Sequence, residues 1–143
     1  MELDRIIALY GSLDVGKTTT LNILIDLFIK VASKYSVEVV WENGFDRRAA
    51  IFFKNKTICI CTPGDNAEII RENISFFSKN KCNIAILATR TKGQSKDTLN
   101  EYAKTKHLEV EGIKKNDDLT SCGEYAANIF CKIISDLKHK KEV

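Results

Sequence analysis

Long apolar runs are missing from this chain of 143 residues, and no stretch approaches the length of a membrane-spanning helix. Glu2 and Asp4 precede a first apolar run too short for a signal-peptide core, so a soluble, cytoplasmic protein with no membrane partner is expected. Proline occurs once, at Pro63, and neither repeats nor low-complexity segments are present, which makes residues 1–143 one domain. Charge of one sign does not dominate either. Lysine and arginine number 22 against 19 acidic residues, a net charge of +3, with one modest basic cluster at Lys138-His139-Lys140-Lys141. Such a tail reads as a solvated end, and no nucleic-acid partner is expected. The two histidines, His107 and His139, have no partner that would suggest catalysis or metal binding. The five cysteines (Cys59, Cys61, Cys82, Cys122 and Cys131) are odd in number and lack a C-x-x-C pair or a histidine cluster. Disulfides and a structural zinc site are therefore not expected, and Cys59 and Cys61, alternating in an apolar run, read as buried thiols.

What is there is decided by the run Gly11-Ser12-Leu13-Asp14-Val15-Gly16-Lys17-Thr18, which matches G-x-x-x-x-G-K-[ST]. It follows the apolar stretch Ile6 to Tyr10, which reads as a buried strand. It precedes a helix, Thr19 to Val31, with Leu21, Leu24, Ile25, Phe28 and Ile29 at helical spacing. Gly11 and Gly16 have no side chain to keep a polyphosphate from the backbone N–H groups, and the helix offers its positive end. Lys17 is placed to reach the terminal phosphates, and the Thr18 hydroxyl to bind the magnesium ion that bridges them.

Further along, Val37 to Trp41 reads as a strand and residues 42–48 as a polar loop. Ala50 to Phe53 and Thr57 to Cys61 form a hairpin around Lys54-Asn55-Lys56. A helix spans Asn66 to Lys79, a buried strand Asn83 to Ala88, a helix about Lys96 to Lys106, a strand His107 to Ile113 and a last helix about Cys122 to Leu137. Strands alternating with helices predict an α/β fold with a mainly parallel sheet of five or six strands, helices on both faces, and polar loops 11–18, 42–48, 62–66 and 89–94 converging beyond the strand ends.

Gly11, Asp14, Gly16, Lys17, Thr18 and Thr19 together reproduce G-x-x-D-x-G-K-T-T, and Thr62-Pro63-Gly64 stands at the end of a hairpin strand. In these features the chain resembles P-loop NTPases, in detail GTPases of the translation-factor (TRAFAC) type. The resemblance implies a three-layer P-loop fold, a nucleotide seat made by Gly11, Asp14, Val15, Gly16, Lys17, Thr18, Thr19 and Gly64, and bound Mg2+ with GTP or ATP. It also implies loops that order around the nucleotide and can signal to a protein partner. The family's aspartate before Thr-Pro-Gly is Cys61 in this chain, so Asp65 is expected to take a metal role beside Thr18 or to orient the attacking water. The family's base-reading N-K-x-D has no match. Its nearest stand-ins are Thr91-Lys92-Gly93-Gln94 and Lys115-Asn116-Asp117-Asp118, with Thr120-Ser121-Cys122 at the place of the last base-binding loop.

The expected chemistry is slow, Mg2+-dependent hydrolysis of a nucleoside triphosphate by a switch-like protein. Lys17, Asp65 and Arg90 are the catalytic candidates, and Arg47 and Arg48 are further arginines that can meet the phosphates. Two alternatives stay open. One is a small nucleoside or nucleotide kinase, in which Glu42 and Asp46-Arg47 serve the acceptor. The other is a module that binds nucleotide without turning it over.

Overall fold

The computed structural model describes residues 2–11, 16–40, 45–116 and 119–142, with the backbone alone for 139–142. The chain runs β1 (Arg5–Tyr10), α1 (Lys17–Val31), β2 (Lys34–Val39), β3 (Arg47–Phe53), β4 (Lys56–Cys61), α2 (Ala67–Lys79), β5 (Ile84–Thr89), α3 (Gln94–Thr105), β6 (Val110–Lys114) and α4 (Cys122–Glu142), with one 3-10 turn at Leu119–Ser121. The six strands form one sheet in the order β2-β3-β4-β5-β1-β6. β4, β5, β1 and β6 pair in parallel, whereas β3 is antiparallel to both β2 and β4. β3 is thus the one reversed strand, and the sheet is α/β and mixed with a parallel centre.

The pleat explains why helices cover both faces. On β1, Ile7 and Leu9 join Leu21, Leu24, Ile25 and Phe28 of α1 and Ile129 and Ile133 of α4 in one core. Ile6 and Ala8 point the other way and pack with Ile70 and Phe77 of α2 and Leu99 and Ala103 of α3. β5 is buried along its whole length, as its apolar run Ile84 to Ala88 requires. The reversal at β3 is made by a two-residue turn in which Lys54 and Asn55 both have positive φ, 50° and 63°, the backbone that matches the twist of a hairpin.

Three strand starts differ from expectation. β3 begins at Arg47 rather than Ala50, so Arg47 and Arg48, expected in the 42–48 loop, pair with β2. β2 begins at Lys34 rather than Val37, because its extent follows the register with β3, from Lys34 opposite Phe52 to Val39 opposite Arg47, and not an apolar run of its own. β6 begins at Val110 rather than His107. His107 has φ 56° and is the left-handed residue that ends α3, its N–H donating to Lys104 and that of Leu108 to Ala103. Among the described residues no helix is long and apolar enough to cross a membrane.

Candidate functional site

The connection after β1 leads to α1 on one face, and that after β5 leads to α3 on the other. Adjacent parallel strands whose connections part in this way open a crevice at their carboxyl ends. Lys17 lies in it. Its ammonium donates to the carbonyl of Gly11 at 2.7 Å, just past β1, and to that of Thr89 at 3.0 Å, the last residue of β5. Gly11 closes the same seam by donating its N–H to Thr89 at 3.3 Å.

Gly16, before Lys17, has φ 87° and ψ 23°, a left-handed conformation that glycine adopts without penalty. A Cβ there would also stand 2.6 Å from the Cys122 sulfur and 3.2 Å from Leu119, so the end of the loop is braced by the segment that leads into α4. α1 then starts with no side chain capping it and no acidic residue in its first turn. By contrast, the first turn of α2 is capped by Asn66, whose Oδ1 accepts from the Ile69 N–H at 2.9 Å. Unsatisfied N–H groups at a helix start are what an anion uses. Asn66, not Asp65, is the cap of α2, which leaves the exposed Asp65 carboxylate without that duty.

Lys17 is 8% exposed, and burial pulls its pKa down from the ordinary 10.5; the negative charge of Asp65 opposes this and the positive charge of Arg90 adds to it. Asp65 and Arg90 therefore both act on the charge of Lys17. Below the lowered pKa the folded and unfolded chains both hold this proton; above 10.5 neither does. Between the two the unfolded chain holds more, so stability rises with pH across that window. Urea unfolding of the wild type and Lys17→Met should show the wild type gaining on the variant as pH climbs toward 10.5.

The segment before β3 lies across α1. Thr18, Asn22 and Asp26 follow at four-residue intervals along one helix face. Asn22 donates to the Phe45 carbonyl at 2.7 Å and accepts from Arg47 Nε at 2.7 Å, and Arg47 reaches Asp26 at 3.1 Å. This clamp holds Asp46 over the start of α1. The Asp46 Oδ1 accepts from the Thr62 hydroxyl at 2.9 Å and from the Thr18 hydroxyl at 3.4 Å. Thr62 in turn accepts from the Arg47 N–H at 3.0 Å, so the carboxylate is held from both sides.

Cys61 is the buried thiol that the sequence suggests. It is fully buried on the α2 and α3 side, where burial pushes its thiol well above the ordinary value. Thr62, one residue on, faces α1 instead, as the two-residue period of a strand requires. Arg47 and Arg48 are also committed elsewhere: Arg47 to Asn22 and Asp26, Arg48 to Asn73 at 2.8 Å and Glu72 at 3.2 Å. Asn73 is buried and donates to the Pro63 carbonyl at 2.8 Å, which ties the Thr-Pro-Gly loop to α2.

Gly64 packs against β5: a Cβ on it would lie 1.8 Å from the Ala88 carbonyl oxygen. Thr19 is exposed on the first turn of α1. Asp14 and Val15, with Ser12 and Leu13, lie outside the described residues, as do Glu42 and the Asp117-Asp118 pair. Of the segments that stand in for a base-reading loop, 115–122 comes closest to Gly16. Lys115 is buried, its N–H donates to the Tyr10 carbonyl at 2.7 Å, and its ammonium lies 4.9 Å from the Tyr125 ring centroid. The residue that sequence reasoning undervalued is Asp46, which stood only as an acceptor-site residue of a kinase. Its signal was faint, since one acid in a polar loop has no spacing that distinguishes it. No protein-family model, curated protein or solved structure matches this chain.

Proposed function

We propose that this chain is a P-loop nucleoside triphosphate-binding protein with the three-layer fold of that class, a slow Mg2+-dependent NTPase that works as a switch. The observation that carries the reading is the buried Lys17 ammonium, held between the ends of β1 and β5 at the uncapped start of α1. A cation parked on two carbonyl oxygens, at the start of a helix whose glycine N-cap has no side chain to bond its N–H groups, is poised to exchange those oxygens for phosphate oxygens. Thr18, one residue further, would hold the magnesium, which when bound neutralises charge on the terminal phosphates. Arg90, half-buried at the end of β5, shares the field of Lys17 and would take part of the same charge. Asp65 is free of capping and also in that field, which suits it to orient a water at the terminal phosphate.

Calorimetry with ATP and GTP, each with Mg2+, tests binding and identifies the base. Phosphate release with and without acceptor nucleosides then separates hydrolysis from transfer. Release without acceptor supports the NTPase, acceptor-dependent loss of triphosphate makes the protein a kinase, and binding with neither makes it a non-hydrolysing module. In the first case, Asp65→Ala should lower phosphate release by about 100-fold with triphosphate affinity within about threefold. Turnover equal to the wild type would remove Asp65 from the reaction.

A further inference from the structure

Asp46 has an environment that its role in the fold does not explain. The residue is 8% exposed, yet among the described residues it takes part in no ion pair, and only hydroxyl groups donate to its carboxylate. Arg47, next in sequence, turns its guanidinium away to Asn22 and Asp26. A buried carboxylate without a cation is costly, and in folded proteins such a group is paired, protonated or bound to a metal.

We propose that Asp46 is the carboxylate that holds the divalent cation of this site, together with the Thr18 hydroxyl. The inference rests on the nucleotide reading above and adds to it which of the chain's own acids receives the metal. Four observations carry it. The Asp46 Oδ1 and Thr18 Oγ1 are 3.4 Å apart, against about 2.9 Å between neighbouring ligand oxygens of an octahedral magnesium ion with 2.0–2.1 Å bonds. A cation can therefore sit between them after a shift of a few tenths of an ångström. The carboxylate is held in place beforehand, by the Thr62 hydroxyl on one side and by the Asn22 clamp on Phe45 and Arg47 on the other. Cys61, where the P-loop resemblance expects an aspartate, faces the opposite side of the sheet and is a soft thiol, so it cannot serve a hard cation. Finally, no group of three or more His, Cys, Asp or Glu residues stands together among the described residues. One carboxylate beside one hydroxyl fits magnesium, which takes one or two carboxylates and completes its shell with phosphate oxygens and water.

The assignment gives residues 45–47 a function. A metal drawn to Asp46 would tie the segment before β3 to the bound nucleotide, and Thr62 would carry that tie to the Thr-Pro-Gly loop.

The test measures the affinity of a non-hydrolysable ATP or GTP analogue in EDTA and in Mg2+, and the affinity of Mn2+ for the analogue-loaded protein by electron paramagnetic resonance. Asp46→Asn keeps an amide oxygen for Thr62 to donate to, and thermal unfolding of the same preparation is its folding control. Mn2+ should bind about 10–100-fold more weakly, and the gain in analogue affinity on adding Mg2+ should disappear. Thr62→Val, which leaves the carboxylate in place but removes its tether, should weaken Mn2+ by a smaller factor. Wild-type Mn2+ affinity in both variants would overturn the assignment while leaving the nucleotide site intact. A wild-type protein that binds the analogue in neither buffer would overturn the nucleotide reading and this one with it.

Discussion

Lys17→Met should leave the protein folded and lower its affinity for a magnesium triphosphate by about 100-fold. The two halves of that expectation have separate causes. In the free protein the ammonium is buried and its charge is disfavoured there, with the carbonyls of Gly11 and Thr89 and the charge of Asp65 to compensate. Methionine has a similar length and adapts to irregular space, so losing two hydrogen bonds is offset by no longer burying a charge, and stability should change by no more than about 1 kcal/mol. In the complex the same ammonium would face phosphate oxygens. A charge-assisted hydrogen bond contributes about 1.5–3 kcal/mol, and two of them make about 3 kcal/mol a conservative loss, or 100-fold in affinity. Calorimetry and thermal unfolding of the same preparation check both halves. A variant that melts like the wild type and binds like it would move the anion seat away from this crevice.

Legibility in the sequence followed from how local the cause of each feature is. The strand Arg5–Tyr10 and α1 were readable because apolar periodicity and glycine placement lie within some thirty residues of one another. The hairpin of β3 and β4 was readable from its turn. The start of β2 was not, because its sequence Lys34-Tyr35-Ser36-Val37-Glu38-Val39 is largely exposed and takes its limits from β3 across the sheet. The face on which Cys61 and Thr62 lie depends on how β4 seats between β3 and β5, which no residue near them announces. Asp46 was the largest loss. What sets it apart is the convergence of Thr18, Asn22 and Thr62 around it, three residues drawn from α1 and from the far end of the hairpin.

Gly64→Ala should be the most destabilising single methyl group that can be added at the site. In a Thr-Pro-Gly loop a glycine invites the reading that a ligand approaches its backbone, and the resemblance to P-loop proteins assigns it that use. In the free protein the close approach is to the chain itself: a Cβ at position 64 would lie 1.8 Å from the Ala88 carbonyl oxygen and 2.5 Å from its carbon. Ala88 pairs with Leu9 of β1 in a strand buried on both faces, so it resists moving aside. The loop must lift instead. That strains Thr62, whose hydroxyl tethers Asp46, and Pro63, whose carbonyl is held by Asn73. Overpacking against a backbone that resists movement costs about 3 kcal/mol, which for a domain of this size is a fall in Tm of about 10 °C. Gly123→Ala is the control: it adds the same methyl in the first turn of α4, where nothing lies within 4 Å, and should be neutral or mildly stabilising. If Gly64→Ala melts with the wild type and loses only triphosphate affinity, the glycine serves the ligand and not the sheet. If it melts lower, and its Mg2+-dependent gain in affinity shrinks with it, the packing of this loop on β5 is what keeps Asp46 in place.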